Sequence, residues 1–234
     1  MPSSAETRLI RELERAQALH QARHASPRLA AALDRVAAWQ SRRLNATYAD
    51  LARDPRYAEA IVFFQSDLYG PGDYSRRDAD LARVVPMMVR VLPDGVIATV
   101  AKAIELSALS HELDRALVAK LGEDALLSVP SYCAAYRACG NRKERERQIA
   151  LIVQVGAALD RYVQKPLLRT ALAAMRSPAR IAGLGALQEF LERGLLSFRG
   201  MDGATEFLAV VEARESALME AILAGDDAPF AAPA

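Results

Sequence analysis

Apolar residues recur at intervals of three and four along almost the whole chain, the period of a helix with one face turned inward. A first helix is expected from about Ala5 to His24, on the stripe Leu9, Leu13 and Ala16. Ser26-Pro27 reads as the N-cap and first position of a second helix. It is expected to reach about Ala52, through Leu29, Leu33, Val36, Trp39, Leu44, Tyr48 and Leu51. Asp54-Pro55 repeats that signal ahead of Tyr57, Ala60, Ile61, Phe64 and Leu68. Gly70-Pro71-Gly72 interrupts the pattern, since glycine accepts the left-handed C′ conformation and proline cannot continue a helix. Ser75 to Asp78 resembles a capping box opening a fourth helix on Leu81, Val84, Val85, Met88, Val91 and Leu92, which Pro86 is expected to kink.

Pro93-Asp94-Gly95 marks a turn before a long helix from about Val96 to Leu121, closed by Gly122. Its apolar residues cover most of its circumference, as expected of a central helix. Ser128-Val129-Pro130 opens a short helix ending at Gly140, and Asn141 caps a charged run, RKERER, that becomes an apolar helix from Ile149 to Val163. Pro166 and Pro178 are each expected to begin a short helix, before two more over 184–198 and 205–223. The expected fold is an all-α, single-domain bundle of about ten helices over residues 1–224, followed by a frayed tail, 225–234. Residues 122–130 are the one place where a soft domain boundary could fall.

Composition agrees with this pattern. The chain of 234 residues has 46 Ala and 30 Leu, both strong helix formers. Apolar residues make up 52% and charged residues 25%, an ordinary globular balance. The net charge of +1 argues against a nucleic-acid or membrane surface built on bulk charge. Arginine outnumbers lysine 26 to 4. Genomic base composition explains such a bias, and so does a demand for bidentate pairing with carboxylates or phosphates. Cys133 and Cys139 are six apart, fit no metal motif and read as reduced thiols. An apolar leader and a run of 18 apolar residues are both missing, so a cytoplasmic protein without membrane insertion is expected.

The stretch FFQSDLYGPGDYSRRDADLARVVPMMVRVLP, residues 63–93, is distinctive. With Phe63, Phe64, Leu68, Tyr69, Gly70, Pro71, Asp73, Tyr74, Arg77, Asp78, Arg83 and Pro86 it resembles an uncharacterised, mainly proteobacterial family of helical proteins. RERQIALIVQVGAALDR and GLGALQEFLERG are similar to that family as well, so the resemblance covers most of the chain. It implies an intracellular all-helical protein and supplies no activity. Tyr74 stands where the family usually has Phe.

Candidate chemistry starts in the same segment. Tyr74, Arg77 and Asp78 extend the inward stripe of the fourth helix, and Asp67 that of the third. Charges on such a stripe must be paired or stay at its wet edge. The cluster Asp67, Tyr69, Tyr74, Arg76, Arg77, Asp78 and Arg83 is therefore either structural, with Asp67 paired to Arg76 or Arg77, or an anion pocket at a helix N-terminus. It lacks a nucleophile–base pair. His20 and His24 share a face but have no further metal ligands beside them, so a half-buried helix end is expected. His111, Gln188 and Glu215 each fall on an apolar stripe and are candidate buried polar groups; His111 could also serve as a base or haem ligand. RKERER is expected to be a solvated first turn with i, i+4 pairs. Gly156 is expected to permit a close helix crossing.

Three readings follow. The first is a non-enzymatic helical module that binds a protein partner or itself, in a regulatory or interaction role. The second is a pocket protein for a small molecule, an anion or a tetrapyrrole, or an enzyme of unfamiliar type; its signature is Asp67, Tyr74, Arg77, His111, Gln188 or Glu215 converging on one cavity. Nucleic-acid binding comes last, because it needs several arginines on one face. The sequence implies no cofactor and no metal.

Overall fold

The computed structural model describes residues 3–63, 79–80, 82–85 and 93–227. The protein is an all-α, single-domain bundle. Among the described residues there is no strand, and ten helices follow in order. They are α1 (Ser4–His24), α2 (Pro27–Thr47), a 3-10 turn (Leu51–Arg53), α3 (Ala58–Phe63), α4 (Asp94–Leu121), α5 (Val129–Cys139), α6 (Arg142–Val163), α7 (Pro166–Ile181), α8 (Gly185–Gly200) and α9 (Thr205–Ala224). Most of the fourth helix expected from the sequence, including Pro86, lies outside the described residues, as do residues 228–234.

Local chemistry sets the helix ends. The Ser3 hydroxyl accepts from Glu6 N at 3.2 Å, and that of Ser26 accepts from Leu29 N at 3.3 Å, with Pro27 next to it. Ser128 and Ser131 close a reciprocal capping box on α5, and Gly140 ends that helix in the left-handed region at φ 63°. Other ends depart from expectation. α2 stops at Thr47 rather than near Ala52; Thr47 Oγ1 donates to Arg43 O at 3.0 Å, and Asn45 and Thr47 are weak helix formers. A 3-10 turn over Leu51–Arg53 follows. Pro178 opens no helix: it sits inside α7, which continues to Ile181. The RKERER run does open α6 directly after Asn141, as expected, although the Asn141 side chain makes no cap hydrogen bond.

α4 is the central helix, packing against α1, α2, α5 and α6. Against α1 it buries Leu9, Leu13, Ala16, Ile97, Ala101 and Ile104. A second cluster gathers Trp39, Leu117, Tyr132, Cys133, Tyr136, Ile149 and Met219 from α2, α4, α5, α6 and α9. A third joins Tyr48, Tyr57, Ile61, Phe198, Met201 and Phe207. α6 and α9 cross closely at Gly156, where a Cβ would stand 2.5 Å from Leu208 Cδ2. Arginine–carboxylate pairs tie helices together: Glu105 of α4 takes both Arg8 of α1 and Arg147 of α6, and Arg15 of α1 takes Glu112 of α4.

Candidate functional site

A polar layer runs between the second and third apolar clusters. Five helices contribute to it. From α2 come Gln40 and Arg43, with Tyr48 at its C-cap; α4 supplies Asp114, α5 Tyr132 and Tyr136, α6 Arg145 and α9 Glu215. Arg43 grips Glu215 through both terminal nitrogens, at 2.6 and 3.0 Å, and the Tyr48 hydroxyl donates to Glu215 Oε1 at 2.8 Å. Gln40 Nε2 donates to Asp114 Oδ1 at 3.0 Å and to the Tyr132 hydroxyl at 3.2 Å. The Tyr132 ring stacks on Trp39 with centroids 4.2 Å apart, which fixes its hydroxyl toward Gln40.

Arg145 completes the layer in an unusual way. Only 6% of the residue is exposed, and its guanidinium lies over the Tyr136 ring, 4.4 Å from the centroid. Nε and Nη2 are shielded from solvent and meet no hydrogen-bond acceptor among the described residues. A buried unpaired donor of this kind costs about 1–3 kcal/mol.

The electrostatics follow from burial and neighbours. Burial pushes the Asp114 carboxyl up to about 6, although the Gln40 hydrogen bond and the positive charge of Arg145 pull the other way. Asp114 is not sealed off, since its residue surface is only partly buried. Burial also opposes ionisation of Glu215, but Arg43, Tyr48 and Arg145 outweigh it and hold the carboxyl below its ordinary value. Burial raises the hydroxyls of Tyr132 and Tyr136, so both stay protonated donors. The layer thus holds two guanidinium cations, one firm carboxylate and one carboxyl that titrates at mildly acidic pH.

Of the residues the sequence singled out, one is here. Glu215 is a member of the layer. Gln188 is buried elsewhere, where its Nε2 donates to Leu172 O at 2.6 Å and to Glu192 Oε1 at 2.8 Å between α7 and α8. His111 of α4 meets His20 of α1 edge-on, with ring centroids 5.5 Å apart. Arg83 donates to Asp80 Oδ1 at 3.4 Å and to Ala182 O at 3.2 Å. Asp67, Tyr69, Tyr74, Arg76, Arg77 and Asp78 lie outside the described residues. Among the described residues, no group of three or more His, Cys, Asp or Glu side chains could hold a metal ion. Arg145 corrects the expectation of a solvated RKERER turn. Arg142 and Glu146 do pair at 2.9 Å on the surface, but Arg145 turns inward. The signal was present: Arg145 shares a stripe with Ile149, Ile152 and Gly156, all buried on one face of α6.

A separate groove of about 550 Å³ lies between α3 and α8, lined by Glu59, Val62, Phe63, Arg193 and Leu196 among others. The described candidates Arg83, His111, Gln188 and Glu215 do not line it.

A family model described as "Domain of unknown function (DUF8198)" covers residues 19–229, which takes in the whole polar layer. No curated protein and no solved structure matches the chain.

Proposed function

The chain belongs to that family, whose description assigns no activity, and from this premise we propose that the protein is a non-enzymatic helical module that binds a small ligand in its central polar layer. The observation that supports this reading most is Arg145. Its buried cationic edge has no protein acceptor among the described residues, while every other described charge of the layer is hydrogen-bonded. A structural network satisfies its members; a binding site keeps donors for its ligand. The layer offers no nucleophile next to a base, which favours binding over catalysis.

The test is native mass spectrometry of the gently purified full chain, before and after incubation with a panel of small metabolites. Retained or added mass that denaturation releases is the expected result. Apo mass throughout would contradict the reading.

One observation favours a second reading, the interaction module. Around the α7–α8 hairpin several apolar side chains face solvent, with Ile181 86% and Leu196 55% exposed. A mass that rises with concentration in light scattering, and no longer does so in Leu196→Asp, would turn the account toward that reading.

A further inference from the structure

We infer that the Arg145 fork receives the carboxylate of a small monocarboxylic acid, seated in the polar layer against Tyr136. The inference rests on the binding reading above and names its ligand class. Nε and Nη2 lie on one edge of the planar guanidinium, and their N–H bonds run side by side, spaced for the two oxygens of a carboxylate. This protein uses the same edge elsewhere. Arg15 directs Nε and Nη2 at the two carboxylate oxygens of Glu112, with the Nε contact at 2.6 Å. Arg147 turns the same two nitrogens on Glu105 Oε1, at 3.0 and 2.8 Å. At Arg145 that edge is buried and has no acceptor among the described residues.

The surroundings narrow the choice. Tyr136 covers one face of the guanidinium, which leaves its edge as the direction from which an anion can reach it. The terminal nitrogens of Arg43 are engaged by both oxygens of Glu215, and within the layer the buried guanidinium nitrogens without an acceptor among the described residues belong to Arg145. Asp114 and Glu215 are close enough to act on Arg145 electrostatically, and they oppose a doubly charged ligand such as phosphate. A singly charged carboxylate neutralises the free edge without adding a second charge to repel.

The test is a titration of the full chain with sodium acetate at pH 8, where Asp114 is ionised and phosphate is mostly the dianion, followed by melting temperature and by calorimetry, with chloride and phosphate as controls at equal ionic strength. Acetate is expected to raise the melting temperature in a saturable way and to bind one equivalent. Arg145→Met should abolish the effect. A second variant keeps the test open should that one fold poorly: Asp114→Asn removes the opposing charge and should tighten acetate binding about tenfold. Acetate acting no more strongly than chloride would overturn the inference, as would phosphate matching acetate or an Asp114→Asn variant with unchanged affinity. A retained ligand without a carboxylate, found by native mass spectrometry, would sink this inference and leave the binding reading standing.

Discussion

Glu215 and Arg145 show what one residue position reveals in a helical sequence. Glu215 sits alone on an apolar stripe with Leu208, Val211, Leu218 and Ile222, so its inward direction is legible. Its partners Arg43 and Tyr48 lie 172 and 167 residues away, and no local pattern links them to it. Arg145 is masked by its neighbours, because a run of charges reads as solvated even where one member points along the apolar stripe. Asp114 carries the clearest consequence at this scale. Its folded-state value near 6 lies above the ordinary carboxyl value of 3.8. Protonation therefore favours the folded state, and the stabilisation it brings, about 3 kcal/mol, is present at low pH and lost as pH rises through about 6. Glu215 has the opposite sign, so its contribution holds above the ordinary range and fades in acid. Comparing wild type with Asp114→Asn isolates the first effect. The urea midpoint of the variant, relative to wild type, should be higher at pH 7.5 than at pH 5. A difference that does not change with pH would contradict the account of Asp114.

Most helices were legible as elements, and their ends were legible where a side chain makes the cap. Ser26-Pro27 and Ser128-Val129-Pro130 announce their helices, and the structure forms both caps. Pro178 misleads because proline favours a first helical turn without requiring one; α7 begins at Pro166 and carries Pro178 in its last turns. Gly156 shows an element-scale constraint that composition cannot reveal but spacing can. It lies on the buried stripe of α6, and the structure places Leu208 of α9 against it. Leu208 is itself buried, with little room to turn away. Gly156→Val should therefore lower stability by about 2–3 kcal/mol, measured by chemical denaturation. A variant as stable as wild type would show that α6 and α9 can separate without loss.

At the scale of the whole molecule, arginine serves the packing of helices. Arg8, Arg15 and Arg147 bind carboxylates of α4, Arg43 and Arg214 join α2 and its C-terminal turn to α9, and Arg137 reaches Asp227. Bidentate pairing thus accounts for part of the bias toward arginine, and these cations are taken up by neighbouring carboxylates. Among the described residues no helix is long and apolar enough to cross a membrane. The all-α class was legible because alanine, leucine and a period of 3.6 agree throughout the chain. The central polar layer was not, since five helices assemble it from positions 40 to 215 and only their packing brings those positions together.

The central claim is that a buried arginine edge in this layer is held ready for a carboxylate. The most direct measurement is the proton–nitrogen NMR spectrum of the arginine Nε–H groups during an acetate titration, with Arg145 assigned by loss of its signal in Arg145→Lys. The account predicts one Nε–H that exchanges slowly with solvent and moves downfield to a plateau as acetate is added. An Arg145 signal that exchanges as fast as those of the surface arginines, and stays in place throughout, would contradict it.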